Sequence, residues 1–259
     1  MAMNPTCELV SIVIPVFNEE AGVAQLKQRL VAVRAAWDRA DELEFVFVDD
    51  GSSDRTGALL REIFANEPRV RVLVHERNRG IGAAFRTGFQ ECQGSIVCTI
   101  DADCSYGPEN LQKLVAVIKA GRGDIAVASP YHPEGAVEGV PRWRLVLSRG
   151  CSGLYGLIAP VRLYTYTSVF RAYRGDVIRT VRFEEDGFVS ASEILIRAAE
   201  AGYRIVEVPM TLHSRKIGQT KMKVVRTIRG HLRLIANTTA RRLLTVLHRP
   251  VEVTARTSK

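Results

Sequence analysis

Ser95-Ile-Val-Cys-Thr-Ile-Asp-Ala-Asp-Cys104 joins an apolar, β-branched run over 96–100 to two carboxylates one residue apart. The run has the composition of a buried strand, and an unpaired charge is costly to bury, so Asp101 and Asp103 stand where the strand leaves the core. In open α/β sheets that carboxyl end is where ligands bind. Two carboxylates at this spacing grip a hard divalent cation from one side and leave its other positions to phosphate oxygens and water. The plainer alternative is a polar turn before a helix that starts near Pro108.

Outward from this stretch the same pattern repeats. Apolar strands are expected over 9–17, 43–48, 70–74 and 125–129, with Pro15 tolerable only near a strand end. Between them lie a helix with Val23, Leu26, Leu30 and Val33 on one face, a helix over 56–64, one running from the turn Asn78-Arg-Gly-Ile-Gly82 to about Cys92, and one over 111–118. This alternation means βαβ units in a mostly parallel sheet covered on both faces. Beyond Ser129 the pattern loosens: a loop over 130–141, a helix over 144–158, an extended stretch over 165–173, a helix over 189–201 and a strand over 205–212. A polar loop over 213–221 and a long helix over 222–247 follow.

The chain has 259 residues, 46% of them hydrophobic, which suits one large α/β domain or a domain with an appendage. The net charge of +8 is uneven: from Arg215 to Lys259 there are twelve Lys or Arg and one acid, Glu252. Such a tail expects an anionic partner. Cys7, Cys92, Cys98, Cys104 and Cys151 are odd in number and form no Cys-x-x-Cys pair, which fits a reducing compartment and argues against a disulfide framework or zinc site. No signal peptide and no transmembrane helix are expected.

Three acidic clusters end three strands: Glu19-Glu20, Asp49-Asp50, and Asp101 with Asp103. In a parallel sheet all three reach one edge and make a cleft. Asp49 or Asp50 is placed to accept hydrogen bonds from a base or ribose. The turn Gly80-Ile-Gly82 is not a dinucleotide fingerprint, because Phe85 stands where the third glycine belongs and the turn follows the third strand. A tight turn presenting backbone to a nucleotide is the expectation.

Val48-Asp-Asp-Gly-Ser-Ser-Asp-Arg-Thr56, Asn78 to Gly88 and Asp101-Ala-Asp103 resemble the nucleotide-sugar half of family 2 glycosyltransferases with the GT-A fold. Phe170-Arg-Ala-Tyr-Arg174, Ser192-Glu193, Gly202-Tyr-Arg-Ile-Val-Glu-Val-Pro209 and Arg215-Lys-Ile-Gly-Gln-Thr-Lys221 are similar to the polyprenyl-phosphate, dolichyl-phosphate mannosyltransferase-like sugar transferases. The resemblance implies an α/β, Rossmann-like GT-A catalytic domain over 1–221, with a nucleotide-sugar half at 1–130 and an acceptor half at 131–221. A basic amphipathic helix at 222–247 and a mobile tail at 248–259 complete it. It further implies a nucleotide site at Pro15, Asn18, Glu19, Asp49, Asp50, Gly80, Asp101 and Ala102. Mg²⁺ or Mn²⁺ would be held by Asp101 and Asp103 with Ser105 in the third ligand's place. Arg142, Arg144 and Arg215 would meet the acceptor phosphate, and Asp103, Arg215, Lys221 and Glu193 would form the catalytic set.

The implied reaction moves a hexose, from GDP-mannose or UDP-glucose, to a polyprenyl monophosphate with inversion. A sugar hydroxyl acceptor needs a carboxylate base, for which Glu193 is the candidate; a phosphate acceptor is already anionic and needs positioning. A family 2 transferase acting on a glycan hydroxyl is therefore one alternative, and a non-catalytic membrane adaptor of the same fold is another. The chain departs from the family pattern at Ser105, at Ser129-Pro-Tyr131 and at Thr165-Tyr-Thr-Ser-Val-Phe170, which lacks the family's Asp and Gly.

In the tail, Val225, Ile228, Leu232, Ile235, Leu243 and Val246 fall roughly on one helical face, with Arg226, Arg229, Arg233 and Asn237 elsewhere. A basic amphipathic helix of this kind lies in an anionic membrane interface or packs on the catalytic domain. The expected location is cytoplasmic, peripheral at the inner membrane face, with a membrane-embedded partner or a second copy compatible with it. Nucleic acid is not expected as a partner, since aromatic interleaving and a recognition motif are both missing.

Overall fold

A computed structural model of the chain describes residues 9–37, 42–215 and 224–247, the side chains of 244–247 excepted. Lys221, Cys7 and the 248–259 tail lie outside the described residues. Seven strands form one sheet in the order β3-β2-β1-β4-β7-β5-β8. They are β1 Val10–Val16, β2 Leu43–Asp49, β3 Val70–Val74, β4 Ile96–Thr99, β5 Ile125–Ser129, β7 Arg171–Arg174 and β8 Ile205–Pro209. All pairings are parallel except those of β7, which runs antiparallel between β4 and β5.

Side chains alternate across this sheet with period two, and both faces are apolar. Ile12, Ile14, Phe45, Phe47 and Cys98 face one layer of helices, α1 Val23–Ala35, α2 Thr56–Ile63 and α4 Leu111–Lys119. Val23, Leu26, Leu30 and Val33 are the buried residues of α1, as their spacing requires. Val13, Val46, Val48, Val97 and Val127 face the other layer, which includes α3 Ile81–Glu91 and α7 Ser190–Glu200. Pro15 sits inside β1, paired with Val48 of β2. The Val13 carbonyl bonds toward β4 and the Val16 carbonyl toward β2, so the N–H that Pro15 lacks would face the side on which β4 has already ended.

The second half departs from expectation in four places. The 130–141 loop carries a short strand, β6 Ala136–Glu138, which pairs with β9 Thr211–His213 in a separate two-stranded sheet. The single strand expected over 205–212 therefore breaks at Met210, after Pro209, and its end belongs to this second sheet. Only the end of the extended stretch over 165–173 enters the main sheet, as β7, and a short helix, α6 Gly175–Thr180, follows it. The fourth concerns α8 Val224–Leu247, which packs beside α5 Arg142–Ile158. Its domain-facing residues are His231, Leu234 and Thr238, whereas Val225, Ile228, Leu232 and Leu243 of the expected apolar stripe are exposed. Gly230 permits this approach, since a Cβ there would come within 2.8 Å of Val189. Among the described residues no helix is long and apolar enough to cross a membrane.

Candidate active site

Order reverses between β1 and β4, and a cavity of about 2040 Å³ opens there at the carboxyl ends of the strands. The β1, β2 and β4 ends supply its floor. The 184–188 segment and the inner side of α8 supply its walls. Its two ends differ in charge: Glu19, Asp50, Asp101 and Asp103 stand over the sheet, and Arg226, Arg229, Arg233 and Arg241 enter from α8.

At the acidic end one guanidinium joins two carboxylates. Arg215 donates from Nε to Asp103 Oδ2 at 2.9 Å and from Nη2 to Glu19 Oε1 at 2.8 Å. The other oxygen of Asp103 accepts from the Ser105 amide at 2.9 Å and its hydroxyl at 2.7 Å. Ser105 thus orients Asp103, and its carbonyl accepts from the His213 amide at 3.0 Å, tying this turn to β9 and the base of Arg215. Burial, and then the Asp103 charge, push the Asp101 carboxyl well above the ordinary carboxylate range. Burial works against the Arg215 charge, but Asp103 and Glu19 outweigh it and raise the guanidinium pKa.

Asp50 is placed by the strand period. Asp49, the last residue of β2, turns to the α2 side, where it accepts from the Ser52 amide at 3.0 Å. Asp50 turns to the cleft and is filled by the protein's own donors. His75 Nδ1 lies 2.7 Å from Oδ1, and the Arg79 amide donates to the same oxygen at 2.9 Å. Asn78 Nδ2 and the Gly80 amide donate to Oδ2 at 2.8 and 2.7 Å. The Gly82 amide donates to the Asp186 carbonyl at 2.6 Å. The two glycine amides of this turn are therefore committed within the protein rather than left for a nucleotide. Gly80, at φ 101°, is demanded by contact: a Cβ there would lie 2.4 Å from the Asp186 carbonyl oxygen.

Glu193 reaches the cavity wall with both oxygens engaged. Oε2 accepts from the Glu184 and Glu185 amides at 3.0 and 2.8 Å, and Oε1 pairs with Arg197 at 3.2 Å. It pins the 184–187 segment over the Gly80 turn, and Arg233 of α8 binds that segment from above through Glu185 at 2.7 Å.

Of the residues singled out in the sequence, Pro15, Glu19, Asp50, Gly80, Asp101, Ala102, Asp103, Ser105, Arg144, Glu193 and Arg215 line this one cavity. Asn18 serves the neighbouring loop, accepting from the Ser53 amide at 2.8 Å. Arg142 is the exposed first residue of α5. Sequence reasoning missed His75 and the acidic run Glu184-Glu185-Asp186 before Gly187, whose signal is three acids beside a glycine in a loop. Thr165, where the family pattern has Asp, shares a hydrogen bond of 2.8 Å with Ser129 Oγ, and its amide donates to Glu207 at 2.9 Å.

The donor set fits a divalent cation that shares its coordination with a ligand. Among the described residues no cluster of three or more His, Cys, Asp or Glu side chains is arranged to enclose a metal. Asp101 and Asp103 offer hard oxygens from one side, the manner in which Mg²⁺ is held together with phosphates. The Arg215 guanidinium on Asp103 and Glu19 shows that this corner holds a cation.

A family model described as Glycosyl transferase family 2 matches residues 11–182. The chain is 32% identical to the polyprenol monophosphomannose synthase of Mycolicibacterium smegmatis over 218 residues, 82% of this chain and 80% of that one. It is 34% identical to the dolichol-phosphate mannosyltransferase of Pyrococcus furiosus over 229 residues, 87% of this chain and 62% of the relative. The mannosyltransferase PcManGT from Pyrobaculum calidifontis, solved in complex with GDP-Man and Mn²⁺, superposes with a TM-score of 0.61 at 19% identity, covering 92% of this chain and 65% of that one. The mostly parallel sheet is that of GT-A enzymes, and the matched residues 11–182 contain the sheet edge that carries Glu19, Asp50, Asp101 and Asp103: the chain belongs to glycosyl transferase family 2.

Proposed function

We propose that the protein is an inverting, metal-dependent hexosyltransferase that moves a hexose from GDP-mannose or UDP-glucose to a polyprenyl monophosphate. The observation that carries this reading is one cleft in which Asp101 and the Asp103–Arg215 pair face the arginines of α8. The polyprenyl- and dolichol-phosphate sugar transferases among its relatives support the same acceptor class. Asp50, braced by four donors, sets the wall against which the nucleoside rests, with Pro15 and Ala102 beneath. Asp101 and Asp103 would hold Mg²⁺ or Mn²⁺, which supplies charge neutralisation on the leaving nucleoside diphosphate. Arg215 and Arg144, with Lys221 beyond the described residues, meet phosphate oxygens of donor and acceptor.

A phosphate acceptor brings its own negative charge and asks for orientation rather than a base. The engaged oxygens of Glu193 favour this acceptor over a sugar hydroxyl. Beside the exposed apolar residues of α8, α5 exposes Trp143, Val146, Leu154 and Leu157, and the same two helices expose Arg142, Arg149, Arg226 and Arg229. This face suits an anionic membrane surface, with the apolar side chains in the interface and the arginines on head groups, and brings a lipid-borne phosphate to the cavity mouth. The test is a transfer assay with labelled GDP-mannose and UDP-glucose, a short polyprenyl phosphate in detergent, and Mn²⁺ or Mg²⁺. A lipid-linked sugar is the expected product, and calorimetry showing no nucleotide-sugar binding would instead support a non-catalytic adaptor.

A further inference from the structure

We propose that Arg215 is an internal counter-cation of the paired carboxylates, which yields Asp103 to an arriving divalent cation and is thereby released to the acceptor phosphate. The proposal deepens the transferase reading and rests on its assignment of Asp101 and Asp103.

Asp103 has each oxygen engaged. Ser105 holds Oδ1 with its amide and hydroxyl, and Arg215 Nε holds Oδ2 at 2.9 Å. The second arm of the guanidinium, on Glu19 at 2.8 Å, draws a third carboxylate into the same corner. Glu19 is itself fixed, its amide donating to Thr56 Oγ1 at 2.8 Å. Arg215 thus bridges Asp103 and Glu19 beside Asp101 in one partly dry corner of the cavity. A divalent cation bound to Asp103 would meet that guanidinium at contact distance, where like charges repel strongly in a medium less polar than water. Cation and guanidinium therefore compete for one oxygen.

Backbone bonds just before Arg215 anchor the chain there, so a shift of the guanidinium is a side-chain motion. His213 donates its amide to Ser105 and Ser214 donates to the Glu138 carbonyl at 2.9 Å. The Arg215 side chain is 20% exposed and borders the cavity. Before the donor and its cation bind, the guanidinium is spent on Asp103 and Glu19. Afterwards it is available to a second anion in the same cavity.

The test measures Mn²⁺ binding to the full chain by electron paramagnetic resonance of the free ion, with and without GDP. Without nucleotide, Arg215→Ala is expected to bind Mn²⁺ about tenfold more tightly than the wild type, the effect of removing one such neighbouring charge. Arg215→Lys, which keeps the charge, is expected to stay within about threefold of the wild type. Asp103→Asn placed on Arg215→Ala should remove the gain. Equal or weaker Mn²⁺ binding by folded Arg215→Ala overturns the proposal and leaves the metal site standing. Failure of the wild type and every variant to bind Mn²⁺, with or without GDP, overturns the metal site and the proposal together. A second measurement avoids the variants: the Arg215 Nε–H resonance of the wild type should move on adding Mg²⁺ and GDP. An unmoved resonance under saturating GDP and Mg²⁺ contradicts the release.

Discussion

His75 touches Asp50 through Nδ1 at 2.7 Å, while its Nε2 lies 2.9 Å from Thr87 Oγ1 on α3. This line runs from the sheet edge into the adjacent helix and fixes the carboxylate before any ligand arrives. A hydrogen bond to a charged group contributes about 1.5–3 kcal/mol. His75→Ala should therefore weaken GDP or UDP binding by roughly tenfold or more, raising the donor KM with little change in kcat. Isothermal titration and steady-state kinetics check this; an unchanged nucleotide affinity contradicts the bracing role.

Tyr155 Oη and His231 Nδ1 are 2.7 Å apart and fasten α8 to α5. Burial pushes the His231 pKa down to about 4. The fold favours the neutral ring, so its contribution is complete above the ordinary histidine pKa and is lost as pH falls from about 6.5 to about 4. Between pH 7 and 5 the wild type should lose about 2 kcal/mol more stability than His231→Gln, whose side chain does not titrate. Hydrogen exchange of the α8 amides against pH measures it. Equal pH slopes for the two proteins would contradict the assignment.

Glu193→Gln separates positioning from base catalysis. With a phosphate acceptor, turnover should stay within about threefold of the wild type, since base catalysis is worth about 10²–10⁴ where it is used. Stability should fall by about 2 kcal/mol, because the buried pair with Arg197 is broken. Thermal melts and initial rates read the two effects independently. A thousandfold loss of turnover with unchanged stability would make Glu193 the base.

Leu157 and Val146 are 76% and 70% exposed on α5, and Leu232 is 57% exposed on α8. Replacing all three by Ser should weaken binding to vesicles containing anionic lipid by at least about tenfold, at roughly 0.8 kcal/mol per buried CH₂. GDP affinity in solution should not change. Vesicle sedimentation at low and high salt reads both the apolar and the arginine contribution. Undiminished binding would place the membrane contact elsewhere.

The stretch up to Ser129 was legible because local rules and tertiary rules agree there. Runs such as 45–48 are apolar throughout, and the acids at their ends mark the edge directly. The Asp49-Asp50 choice was not legible as a ligand question, yet the period-two alternation of β2 settles which carboxylate faces the cleft. His75 was hidden because its function comes from a partner 25 positions away. The stretch beyond Ser129 was harder, since its pairings are non-local: β6 and β9 are three residues each and exist only as each other's partner. On α8, hydrophobic spacing located an apolar stripe, but burial depends on what the domain offers. Tyr155 and Val189 offer a surface that takes His231 and Gly230 and leaves Val225 and Leu232 outside.

The proposed transfer to an anionic lipid phosphate proceeds without a protein base. Initial rates with matched polyprenyl phosphate and polyprenol, at saturating donor and Mn²⁺, test it most directly. Sugar should pass to the phosphate alone, and Asp103→Ala should abolish it. Transfer to polyprenol or to a glycan hydroxyl at a comparable rate, or undiminished turnover by Asp103→Ala, would contradict base-free transfer at this carboxylate site.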